Sequence, residues 1–219
     1  MKSIVFLLFP ILLLGCATFQ KPVDDSLLTE MTQQEKDSIN ALNSSIIVKK
    51  NEQDTSEKTL VVSDQVILVS NSRISMLNAQ KDNNQKNEKL YVLSGDTVKQ
   101  QETSSLTKKI DIQIAQETAN QNYCVAKRNA NLALFKVKEA ELSVLVSQLD
   151  FEKAKIAREF QINRYGAKYD KLVDANKFND YLNSMKDDLN KRKQEYQKAL
   201  ESLKIASDQL KTAGYEEQK

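Results

Sequence analysis

The side chains with chemical potential in this chain are two cysteines, Cys16 and Cys124, and thirty Asp and Glu residues; there is no histidine. Without histidine the chain lacks the group that most often moves protons near neutral pH and the commonest metal ligand. Cys124 therefore has no imidazole to activate it as a nucleophile. The four glycines, Gly15, Gly95, Gly166 and Gly214, are too far apart to cradle a phosphate or to form a nucleophile elbow. Residues 170–176 are rich in Asp and Asn, but they lack the central glycine and closing glutamate of a calcium loop. The remaining carboxylates alternate with Lys, Asn and Gln at helical spacing, which is the pattern of a solvated helix face. The expectation is no enzyme, no catalytic residue, no metal site and no cofactor.

The elements themselves are easier to read. Beyond Pro22 no proline occurs, and abundant Lys, Gln, Glu, Ala and Leu with so few breakers make an all-α chain of long helices. The clearest begins near Ala175. Steps of three and four residues from there meet Ala175, Phe178, Leu182, Met185, Leu189, Arg192, Tyr196, Ala199, Leu203, Ala206, Leu210 and Ala213. Only Arg192 interrupts this apolar seam, and a repeat of 3.5 residues sustained for five heptads needs a partner helix. Leu182, Met185, Leu189, Tyr196, Leu203 and Leu210 are accordingly the candidate surface for self-association or for a protein partner. Cys124, set between Tyr123 and Val125, reads as a small buried residue or as the bridge of a disulfide-linked homodimer. The formal charge of +2 is spread along the chain, with no concentrated basic stripe, so nucleic acid is not an expected partner.

Taken in order, residues 16–25 read as a tether and residues 26–58 as a short helix, capped at Ser26, followed by a polar linker from about Lys49 to Lys58. Residues 59–214 read as an elongated helical domain with reversals near 94–97 and 173–177, followed by a tail over 215–219. The β-branched runs at 59–62 and 66–69 would suit two strands. However, no turn pair separates them, and the helical step through Val62, Val66, Val69 and Met76 favours a helix that frays over 81–87. Gly95 can close one helix, with Asp96 or Thr97 capping the next. The central helix is expected to reach Leu172, with its best face through Val125, Leu132, Phe135, Leu142, Val146, Leu149, Ile156 and Phe160. Asn176 is the expected cap of the last helix. Folded back from these reversals, the first helix would cover 98–131 and the last would reach only Phe135. Together they would tile the central one, with a hinge in the polar patch at 116–131. The expected architecture is long antiparallel helices forming an elongated coiled-coil rod or thin bundle.

The N-terminus supplies an address. Lys2 precedes an apolar run from Ile4 to Leu14 that is too short to cross a bilayer, and Leu13-Leu14-Gly15-Cys16 follows at once. This resembles the lipobox of bacterial lipoprotein precursors. The resemblance implies removal of residues 1–15 as a signal peptide, acylation of Cys16 (palmitate among the chains), and retention by a lipid bilayer. Ala17 after the cysteine points to the outer membrane, with the periplasmic face favoured and surface exposure as the alternative. Two further stretches carry resemblances. Residues 169–182, between heptad arms, are similar to the helical hairpin tip of periplasmic adaptor proteins, although nothing in this sequence supplies the lipoyl and β-barrel domains of that family. A lipidated start and a terminal Lys219 resemble Braun-type murein lipoprotein, but the ending here is acidic. The function expected is a membrane-anchored structural or scaffolding lipoprotein of the cell envelope, holding a partner or a spacing. The alternatives are a surface-exposed binding lipoprotein or a hairpin subunit of a transport or efflux assembly.

Overall fold

The computed structural model describes Val23, Leu28 and residues 30–166 and 173–214. Those residues are all-α, with no strand among them: α1 spans Gln33–Ser94, α2 Thr97–Tyr165 and α3 Ala175–Thr212. Their 62, 69 and 38 residues correspond to about 93, 104 and 57 Å at 1.5 Å per residue.

α1 starts with a capping box. The Thr32 N–H donates to the Glu35 carboxylate at 2.6 Å, and the Glu35 N–H donates to the Thr32 hydroxyl at 3.3 Å. This satisfies N–H groups that the first turn leaves without partners. Ser26, the cap expected from sequence, lies outside the described residues. The linker expected over 49–58 is instead continuous helix. It contains no proline or glycine, its Lys, Glu and Gln residues are good helix formers, and two of them, Lys49 and Glu52, find partners on α2. The valine-rich stretch is helix as well, because with no turn to fold a hairpin, β-propensity loses to its helical flanks. The expected fraying over 81–87 does not occur: Lys81 pairs with Asp111 at 2.7 Å.

Gly95 (φ 73°) ends α1, and the Asp96 carboxylate accepts the Lys99 N–H at 3.1 Å to begin α2. From this reversal α1 runs antiparallel to α2 along nearly its whole length. Lys81–Asp111, Asn71–Gln121, Asp64–Arg128, Ser63–Asn131 and Glu52–Lys138 are successive cross-links, each step up α1 matched by a similar step down α2.

α2 stops at Tyr165, before Gly166 (φ 89°), short of the expected Leu172. α3 begins at Ala175 after Asp174, so Ala175 is its first buried residue and Asn176 is not the cap. Its first turn packs beside Ala154, where Ala175 and Phe178 share a core with Val23, Phe151 and Val173. Because α3 starts so far inside α2, its other end reaches Gln116, whose amide donates to the Gly214 carbonyl at 3.2 Å. The tiling expected from sequence is therefore replaced by overlap. Between about residues 116 and 154, α2 has both neighbours, and the expected hinge at 116–131 is uninterrupted helix tied to α1. α1 and α3 make no Cα approach within 8 Å of each other among the described residues.

Two neighbours on different flanks explain the α2 sequence. Thr103, Ile110, Glu117 and Cys124 are buried at seven-residue spacing; Asn131 and Lys138 continue that row and bond to α1. A second row of small residues, Ala140, Ser147 and Ala154, is buried at the same spacing and leads to the α3 contact at Ala154. Small side chains let helix axes approach, whereas Val125 and Val146, on the face favoured by sequence, stay partly exposed. Hydrophobicity alone missed the second row, because alanine and serine carry little of that signal.

Candidate interaction surface

The α3 seam lies on the face that meets α2. Leu182 is 3% exposed, and Met185, Leu189, Tyr196, Leu203 and Leu210 are half-buried on the same side. α2 of the same chain lies along this seam, so the expected self-association or protein partner concerns the side that stays exposed. Arg192 reaches out of the seam to Asp188 at 3.5 Å and Glu195 at 3.2 Å.

Cys124 is 8% exposed between α1 and α2, with its thiol directed at the Asn120 side-chain oxygen 3.7 Å away. Burial raises the thiol pKa, outweighing the nearby Lys127 charge. A buried thiol held protonated is a poor nucleophile, and Cys124 is in this chain a free, small buried residue. Cys16 lies outside the described residues.

Two polar assemblies that sequence reasoning missed sit between α1 and α2. Four charges from distant segments meet in one: Lys138 touches Glu52 at 2.9 Å and Glu141 at 3.2 Å, and Lys49 touches Glu52 at 2.8 Å and Glu141 at 3.0 Å. Hydrogen bonds from Lys138 and then Lys49 pull Glu52 down to about 2. For Glu141 burial pushes upward, but the same two lysines outweigh it and the net shift is down. Both lysines move up, each chiefly through its bond to Glu52. Opposite charges alternate around the cluster, so it can lock register but offers no unpaired group for chemistry.

In the second assembly the Ser70 hydroxyl donates to Glu117 at 2.7 Å and the Asn120 amide donates to the same oxygen at 3.0 Å. The Ser70–Glu117 pair floors an open groove of about 650 Å³. Val62, Val66 and Val69 wall it from α1, Tyr123 from α2, and Arg73 and Lys127 stand at its edges. The signal for both assemblies was present as polar residues in heptad positions. It becomes readable once α1 is folded onto α2 from Gly95.

Among the described residues no group of three His, Cys, Asp or Glu side chains could hold a metal ion, and no helix is long and apolar enough to cross a membrane. No protein family, curated protein or solved structure matches the chain. What the surface offers is helix faces, one of them with an apolar groove.

Proposed function

We propose that the protein is a structural lipoprotein of a bacterial envelope, held in the outer membrane by acyl chains on Cys16, with its three helices forming an elongated coiled-coil rod in the periplasm. Two or three chains on one cysteine anchor essentially permanently, where a single chain binds only marginally. The observation that carries the reading is at the start of the rod. Val23 packs against the Ala154, Ala175 and Phe178 core, and Leu28 is buried as well. Cys16 precedes Val23 by seven residues, a reach of at most about 25 Å. The anchor and the α2–α3 end of the rod therefore stay together. Ala154 and Gly95 are 59 positions apart along the chain, so the Gly95 reversal stands roughly 90 Å beyond the core at Ala154. One end is tethered and the other is presented at a fixed height, which suits holding a spacing or displaying a binding face. Fractionation of cells carrying wild type or Cys16→Ser tests this. The wild type is expected with the membranes and the variant in the soluble fraction; equal membrane retention of both would remove the anchor from the proposal.

A further inference from the structure

The described part of α3 ends against Gln116. Beyond it, over residues 72–115, α1 and α2 pair alone for roughly 33 Å up to the Gly95 turn. Three properties set this arm apart. It buries little: Thr103 and Ile110 are its buried side chains, whereas between Glu117 and Ala157 α2 buries nine. Lys81, Asn84 and Asn87 of α1 and Gln100 and Thr107 of α2 are half-buried along the pair, at positions where a coiled-coil seam is ordinarily apolar. Leu93, Leu106 and Ile112 stay at least 50% exposed, so closing the arm does not cover them. Second, it is weakly tied. Among the described residues its side-chain links across the pair are Lys81–Asp111 at 2.7 Å, with the carboxylate 49% exposed, and the Lys99 ammonium 5.7 Å from the Tyr91 ring centre. Exposed pairs of either kind contribute little. Toward the base the links crowd together as Ser70–Glu117, Asn71–Gln121, Asp64–Arg128 and Ser63–Asn131. Third, residues 82–84 are Asp-Asn-Asn and 103–105 are Thr-Ser-Ser, types whose side chains compete with the helix for its own backbone.

We propose that residues 72–115 are a separately opening arm: α1 and α2 part and unravel between the Gly95 turn and the Ser70–Glu117 pair, then re-form, while the section of α2 held by α3 stays closed. Regions with few buried apolar contacts open in such cooperative units, well below the free energy of global unfolding. The clasp at the base is Glu117, 7% exposed, which accepts from Ser70 at 2.7 Å and from Asn120 at 3.0 Å. Past it, each further turn that opened would also release the crowded links and the contacts with α3, so opening halts there. The result is a rod with a stiff base and a compliant far end. The three-helix section keeps its dimensions, and the reach of the Gly95 end varies. The proposal rests on the packing of the chain and is indifferent to whether Cys16 is anchored.

Hydrogen exchange of the full chain, read by mass spectrometry and corrected for intrinsic rates, tests this. Amides over 74–92 and 98–114 are expected to share one degree of protection, at least about a hundred-fold below that of residues 120–150 on α2. Ile110→Ala removes the large buried side chain of the arm and should speed exchange there about tenfold or more, leaving 120–150 unchanged. Asn84→Leu places an apolar side chain against α2 and should slow exchange in the arm about tenfold, again without effect at 120–150. Four results overturn the proposal: arm protection within about tenfold of that at 120–150, protection that falls steadily toward Gly95 with no shared value, an arm indifferent to both substitutions, or either substitution moving both regions together.

Discussion

Replacing Leu182 by alanine tests whether the α3 seam is an internal core. Leu182 is 3% exposed and follows Phe178, itself buried in the cluster with Ala154 and Ala175. Removing its buried methyl and methylene groups forfeits their transfer free energy and leaves a void, which together cost about 2–5 kcal/mol in well-packed cores. The site lies on a two-helix contact whose outer side can relax toward solvent, and alanine returns a few tenths of a kcal/mol in helix propensity. The expected loss is therefore about 2–3 kcal/mol. For a chain of this size that is a fall in thermal midpoint of roughly 5–10 °C. Chemical and thermal unfolding followed by circular dichroism reads it, with Ile205→Ala as the control because Ile205 is 61% exposed on the same helix. If Leu182→Ala costs no more than Ile205→Ala, α3 is not held by α2 and the seam is free for another partner.

Three further outcomes follow from the geometry. Glu52 is held near 2 by Lys138 and Lys49, below its ordinary 4.5, so its contribution is present above 4.5 and is lost as pH falls toward 2. Acid titration of the unfolding midpoint should show that loss, small and salt-sensitive because the group is exposed, and Glu52→Gln should flatten it. Gly95→Ala forces a φ of 73° on a residue with a Cβ, although nothing lies within 4 Å of that atom; the strain alone should cost about 1 kcal/mol by denaturant titration. Cys124, buried and with its pKa raised, should alkylate far more slowly than a free thiol until the protein is unfolded, and non-reducing gels should show monomer. Rapid labelling of the folded chain would contradict its placement.

The composition that declared long helices did so through what it lacks, since a chain with almost no proline or glycine has few places to turn. The reversal at Gly95 was legible because a left-handed glycine followed by a capping Asp is a local signal. Near the second reversal the start of α3 at Ala175 falls within the 173–177 read from sequence, whereas α2 ends earlier than expected, at Tyr165. How far α3 lies back along α2 depends on packing such as Phe178 beside Ala154, which no local signal carries. The α3 seam was visible as a repeat, but a repeat states only that a helix covers it, not which one. Lys49, Glu52, Lys138 and Glu141 read as solvated charges one by one; their meaning depends on a register set more than 40 residues away at Gly95. The exposed Val62, Val66, Val69 and Met76 of α1 were visible as a helical step. Only the position of α2 reveals that these residues are left uncovered.

Small-angle scattering from the chain beginning at Ala17 tests the extended rod directly. A rod as long as α2, about 104 Å, has a radius of gyration near 30 Å. A compact globule of the same number of residues would give about 17 Å. A value near 30 Å supports the rod; a value near 17 Å would mean that the helices collapse on one another and that nothing is held at a distance from the membrane.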